Sequence, residues 1–249
     1  MIIDIHAHLW DGHFEENKRQ IMTVCENYNV SHVVVSSLAD GIESPDEEKI
    51  AQLNRATYEF MGEEPSVIRG WCYINPRNLN AVNALKQGIE DYGMSGMKLW
   101  IATFCDEPCV FPLIEQCIAY KIPVLIHAFY KVIGQLPHET LGTNVANLAE
   151  RYPEAKLLMA HMGANCLREL KPIKPYRNVS VDTSGSIFHR DDLDYAKRML
   201  GADRIVFGTD MPLISFLLTY GQIEEADFTP EEREAVFSKN ALRLLGKDL

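Results

Sequence analysis

Residues 2–9 read IIDIHAHL, a short apolar run that carries His6 and His8 one residue apart. In a strand, side chains at i and i+2 point to the same face, so both imidazoles project from one side of the backbone, close enough to share a cation. A polar stretch of helical period follows from about Phe14 to Tyr28. The same rhythm then recurs to the end of the chain. Apolar, β-branched runs occur at 31–38 (SHVVVSSL), 67–76 (VIRGWCYINP), 94–101 (MSGMKLWI), 121–128 (KIPVLIHA), 155–163 (AKLLMAHMG), 178–185 (NVSVDTSG) and 203–212 (DRIVFGTDMP). A stretch of helical period follows each of them. The helix after the second run is entered at SPDEE, where Ser44 can cap and Pro45 can occupy the first turn. Eight strand–helix units of roughly 30 residues each are the size of βαβ repeats. Strands apolar at nearly every position suit a parallel sheet covered by helices. The expected architecture is therefore α/β, a closed (β/α)8 barrel in one domain over residues 1–249. The open doubly wound sheet is the alternative, but no GxGxxG follows the first strand.

Composition narrows the class. The chain has 249 residues, 47% of them hydrophobic, and a formal net charge of -11 from Lys+Arg 24 against Asp+Glu 35. That balance argues against a nucleic-acid or anionic-membrane partner, since both need clustered positive charge. No apolar run reaches the roughly 20 residues that span a bilayer. There is no basic leader ahead of an apolar stretch, because Asp4 and His6 interrupt it. The 6 cysteines form no CxxC pair, so reduced thiols and a cytoplasmic setting are expected. A small-molecule substrate is the expected partner. Barrels of this kind are often homodimers, though no interface patch is legible in the chain.

In such barrels chemistry gathers at the C-terminal ends of the strands. Strand one ends at His6 and His8, strand five at His127, strand six at His161 and strand eight at Asp210. Singly, a strand-end His is commonly a satisfied rim residue, and an Asp after Gly-Thr can cap a helix. Together they converge on one rim. Imidazoles plus a carboxylate make a first-row divalent site of zinc, iron or manganese type. Such an ion brings the pKa of its bound water near neutrality, giving a nucleophile, and a carboxylate oxygen can take the proton.

DIHAH, GMKLW, VLIHA, LLMAHMG, VDTSG, VFGTDMP and NALRLLG occur in that order along the whole chain. With them the chain resembles the amidohydrolase superfamily, and within it the amidohydrolase-2 group of TIM-barrel metal-dependent hydrolases. The resemblance implies one ion, most simply zinc with manganese or iron as alternatives, held by His6, His8, His127 and Asp210. It leaves His161 free to activate water or polarise a carbonyl, with Asp210 as the proton acceptor. In two-metal relatives His127 and His161 bind the second ion and a strand-four carbamylated Lys or Glu bridges the pair. Lys98 is the candidate bridge, with a substrate-binding or ion-paired lysine as the preferred reading. TatD-like nucleases and PHP phosphatases also begin with HxH. The first carry a strand-three or strand-four Glu that this chain lacks, and the second a DxH near the end where this chain has GTDMP.

The expected reaction is hydrolysis of an amide, lactone or ester in a small molecule. The alternative on the same scaffold is non-oxidative decarboxylation of an aromatic or unsaturated carboxylic acid. A third reading is a non-catalytic metabolite-binding barrel, which the full donor set disfavours. Trp10 and Trp100 are candidate walls for a planar substrate. Lys98 is a candidate partner for its carboxylate, and Asp182 either contacts substrate or holds a neighbouring His. His189, Arg190, Asn75 and Arg77 are weaker candidates. The loop from Phe129 to His138 is long enough to act as a lid.

Overall fold

The computed structural model describes residues 1–185, 189 and 191–246. Its centre is one eight-stranded parallel sheet whose strands lie in chain order, β1 (Ile2–Trp10), β2 (Val30–Leu38), β3 (Ile68–Ile74), β4 (Gly96–Leu99), β5 (Pro123–Ile126), β6 (Lys156–Met159), β7 (Val179–Asp182) and β8 (Ile205–Val206). The ring closes beyond β8. Ile5 N–H donates to the Phe207 carbonyl (3.0 Å), Asp210 N–H to that of His6 (2.8 Å) and His8 N–H to that of Met211 (2.8 Å). This is the barrel that the strand–helix rhythm predicts. Helices α1 (Phe14–Tyr28), α2 (Glu47–Glu63), α3 (Ala81–Lys86), α4 (Phe111–Tyr120), α5 (Gly142–Arg151), α6 (Cys166–Ile173) and α7 (Asp192–Leu200) cover the outside. They are followed by α8 (Phe216–Glu225), α9 (Pro230–Glu234) and α10 (Asn240–Leu245). The α2 cap differs from the sequence expectation. Asp46, not Ser44, accepts the Lys49 N–H at 2.9 Å, because a carboxylate one residue after Pro45 meets the free N–H groups of the first turn.

Two apolar layers result. Between sheet and helices lie Val33, Val35, Cys72, Met97, Val124, Leu157 and their helical partners. Inside the ring, Ile3, Ile5, Val34, Trp71, Leu125, Leu158 and Val206 fill the lumen, and Ala241, Leu244 and Leu245 of α10 close its floor. The interior is a packed core, so room for chemistry exists only above it, at the strand ends. All 6 cysteines are free thiols. Among the described residues no helix is long and apolar enough to cross a membrane.

β1 departs from simple alternation in a way that shapes the site. Asp4 pairs with Val33 but Ala7 with Val35, so three steps on β1 match two on β2. This is a bulge, and it re-aims the side chains beyond it. Ile3 and Ile5 point into the lumen while Ala7 and Leu9 pack outward. The slip turns His6 and His8 inward above Ile5 and leaves Asp4 facing the helices, where strict alternation would have put it beside the two imidazoles.

Candidate active site

His6 and His8 meet at the top of the lumen with their Nε2 atoms 2.9 Å apart. Their other nitrogens fix the tautomers. His6 Nδ1 lies 2.8 Å from Asp182 Oδ2 and 2.9 Å from Ser184 Oγ. His8 Nδ1 lies 3.2 Å from the Ser36 carbonyl and 3.0 Å from its hydroxyl. Each Nδ1 faces acceptors and so carries the proton, which leaves both Nε2 atoms as lone pairs. Asp210 Oδ1 stands 3.2 Å from His8 Nε2 and 3.8 Å from His6 Nε2. Two lone pairs and an anionic oxygen therefore converge on one point with no proton between them. A positive charge relieves that arrangement, and the donor set of two nitrogens and a carboxylate fits a divalent ion. Lys98 Nζ, wholly buried on β4, is the nearest positive charge, 3.1 Å from His6 Nε2.

Electrostatics reinforce the picture. Burial lowers the pKa of His6, with Lys98 adding to the effect, and burial likewise lowers His8 and His127. Burial brings His161 down to about 4, against the pull of Asp210. These rings are neutral at neutral pH, the form that ligates metals. Burial alone would raise the Asp210 carboxyl, but its contact with His8 and the nearby His161 and His6 rings hold it well below the usual carboxylate range. Burial pushes the Lys98 ammonium down to about 8, with Asp210 and Asp182 opposing.

The backbone holds two of these residues under strain. His161 follows β6 in a tight turn at φ 61°, and Asp210 follows β8 at φ 67°. Left-handed conformations at non-glycine residues cost about 1–3 kcal/mol each and cluster at functional sites. Gly208 shows how close the strands approach: a Cβ there would lie 3.0 Å from that of His6 and 3.3 Å from that of Asp182.

The sequence candidates sort as follows. His6, His8 and Asp210 converge. His161 reaches His6 with ring centroids 5.0 Å apart. His127 lies one contact further out, its Nδ1 3.1 Å from His161 Nε2, and it belongs to no convergent group of three donors among the described residues. Asp182 is wholly buried and fully engaged. Besides His6 it accepts the backbone N–H of His161 (2.8 Å) and the Ser184 hydroxyl (2.5 Å), so it holds neighbouring histidines. Trp10 stands edge-on to His8 at 5.7 Å, and Trp100 to Trp10 at 6.0 Å. Asn75 and Arg77 are occupied elsewhere, bonded to the carbonyls of Pro45 and Ala102. His189 is exposed, and Arg190 lies outside the described residues.

Three further residues belong to the site. Ser184 joins His6, His161 and Asp182 through one hydroxyl; its only sequence signal is its place two residues after Asp182. Tyr73 stands edge-on to Trp100 at 6.4 Å. Among the described residues its hydroxyl and the Trp10 indole nitrogen, both buried, find no partner. Glu139 receives His127 Nε2–H at 3.0 Å, and nothing in PHETLG announces it.

The Amidohydrolase family model matches residues 3–247. Among curated proteins, 2-amino-3-carboxymuconate-6-semialdehyde decarboxylase of Dictyostelium discoideum is 23% identical over 209 residues, 68% of this chain and 58% of that protein. The match thus spans less than two thirds of the relative's length. Among solved structures, 2,6-dihydroxybenzoate decarboxylase from Rhizobium superposes with a TM-score of 0.78 at 15% identity, covering 98% of each chain. A dihydroxybenzoic acid decarboxylase from Polaromonas, solved with bound manganese and the inhibitor 2-nitroresorcinol, gives 0.78 at 16% identity over 98% of this chain and 96% of that one. At such identities the structural likeness speaks to the fold.

Proposed function

Because the chain belongs to the amidohydrolase family, we propose that it is a divalent-metal-dependent decarboxylase of a planar aromatic or unsaturated carboxylic acid. The observation that carries this reading is the pair of indoles, Trp10 and Trp100, standing beside His8 and backed by the buried Tyr73. A flat conjugated acid suits such a wall. The decarboxylase names of the relatives point the same way, whereas hydrolysis, the first expectation from sequence, draws no support from them.

In this reading His6, His8 and Asp210 hold the cation, with His127 as the fourth donor. When bound there, the cation would supply positive charge that offsets the electron density left as CO2 departs. Lys98 adds a second positive charge inside a dry site, where it attracts the substrate carboxylate strongly. Carbon dioxide loss requires one proton at the carbon it leaves, and Lys98 is the site's own group with protons to give near neutrality. Asp182 and Ser184 keep His6 and His161 in single orientations. The aromatic wall stacks on the substrate ring and excludes water.

The test is to incubate metal-loaded protein with a panel of ortho-hydroxybenzoates and conjugated enoic acids and to measure CO2. In parallel a panel of amides and lactones is assayed for water-dependent cleavage. CO2 release that falls at least 100-fold in Asp210→Asn and Lys98→Met supports the proposal. Lactone or amide cleavage without any CO2 would overturn it and restore hydrolysis. Metal analysis of the Lys98→Met protein should give the same ions per chain as wild type; a halving would reveal a lysine-bridged pair.

A further inference from the structure

The chain between β5 and α5 contains no helix or strand, yet it is tied down at one side chain. Glu139 is buried, its side chain 2% exposed. Its carboxylate accepts His127 Nε2–H at 3.0 Å, Lys131 Nζ at 2.7 Å on each oxygen, Gln135 Nε2 at 2.9 Å and Leu136 N–H at 3.4 Å. All but the first of these donors belong to the 129–138 loop. Phe129 stacks on the His127 ring at 5.9 Å and 7°. The loop's base is pinned by Phe129 N–H to the Thr140 carbonyl and Tyr130 N–H to that of Gly163, both 3.0 Å. At the tip, Val132 is 84% and Ile133 90% exposed.

We propose that Glu139 is a positioning residue that couples the seating of the 129–138 loop to cation binding at His127. The inference rests on the reading above that His127 is a donor to a divalent ion. Glu139 accepts the Nε2 proton, so Nδ1 is left as a lone pair on the ring edge that faces His161 Nε2, 3.1 Å away. A carboxylate behind a ligating histidine fixes its tautomer and raises its basicity. A cation on Nδ1 draws electron density from the ring and makes Nε2–H a stronger donor to that carboxylate. Whatever strengthens the carboxylate's seat on binding must, by thermodynamic reciprocity, strengthen binding when the seat is formed. Lys131, Gln135 and Leu136 share the same two oxygens, so the loop's order and the histidine's grip change together.

Manganese ion is the probe. Its affinity is measured by chelator competition, and amide hydrogen exchange across 129–138 is followed with and without it. In the wild type, saturating Mn2+ should slow exchange in the loop. Glu139→Gln, which keeps the shape but not the charge, should weaken Mn2+ binding by about 10–100-fold and abolish the dependence of loop exchange on the ion. Lys131→Met, whose side chain lies at the surface edge, should speed loop exchange in metal-free protein without lowering its thermal midpoint. Wild-type affinity in Glu139→Gln, or loop exchange in the wild type that ignores bound Mn2+, overturns the coupling while leaving the metal site standing. A wild type that binds no divalent ion removes the metal reading itself, and this inference with it.

Discussion

Asp4 sits two residues before His6 yet faces away from it, toward α1 and the seam of the ring. Its carboxylate accepts the His6 N–H (3.0 Å), the Thr209 N–H (3.1 Å) and the Thr209 hydroxyl (2.5 Å), so one buried group ties the two histidines of β1 to the turn that carries Asp210. Burial raises its pKa to about 7, against the lowering effect of those hydrogen bonds. The sign of the resulting pH dependence follows. Below about pH 4 folded and unfolded chains both hold the proton; from about 4 to 7 the unfolded chain releases it while the folded one keeps it. The stability this group contributes is thus present in acid and lost as pH rises through about 7. Asp4→Asn removes the titration. The stability of wild type minus that of the variant should therefore fall between pH 4 and 7 and level off above, as read by urea midpoints at each pH. A difference that stays constant or grows over that window would show that Asp4 is ionised throughout. Sequence reading marked Asp4 only as an interruption of an apolar run. Its role depends on the bulge, and a bulge is set by the register of β1 on β2, which alternation alone does not encode.

At the scale of elements, the strands and helices were legible because their periods differ and because punctuation is clear. The polar run predicted from Phe14 to Tyr28 is α1 to the residue. His6, His8 and Asp210 were legible for a related reason: parallel strands wound in order bring their C-terminal ends to one rim, so strand-end chemistry can be listed before any contact is known. Glu139 and Ser184 were not legible, because their partners are chosen by how loops fold back on the rim, and polar loop residues are common. Close packing between elements was equally hidden. Gly96 begins β4 opposite Trp71, and a Cβ there would lie 2.4 Å from the indole and 2.5 Å from the Pro123 carbonyl. Neither neighbour can retreat, since Trp71 fills the lumen and its Nε1–H is bonded to the Ile5 carbonyl at 2.8 Å. Gly96→Ala is expected to destabilise the protein by about 1–3 kcal/mol or more through overpacking. Chemical denaturation should show this as a lower midpoint at an unchanged slope. A midpoint equal to wild type would mean that the lumen is looser than its geometry states.

For the whole molecule, the described strands form one continuous ring, each paired with its neighbours. Residues 1–249 are accordingly expected to melt in a single transition, with calorimetric and van't Hoff enthalpies in agreement. Binding of a cation to the folded state alone adds about 2.7 kcal/mol when the free ion is at 100 times its dissociation constant. In a chain of this size that moves the midpoint by roughly 5–10 °C. Chelation should therefore lower the melting temperature by that amount, and the melting temperature of His8→Ala should not respond to added ion. A chelator-insensitive midpoint in metal-loaded wild type would argue against a cation at the rim. The seam between β1 and the residues after β8 carries one more consequence. On a ribosome the paired imidazoles of His6 and His8 emerge well before the Asp210 carboxylate that faces them. A nascent chain halted before Phe207 would possess neither that anion nor the backbone contacts that hold the first strand in place. An ion that needs both the imidazoles and this carboxylate would then bind only chains in which the turn after β8 has been made.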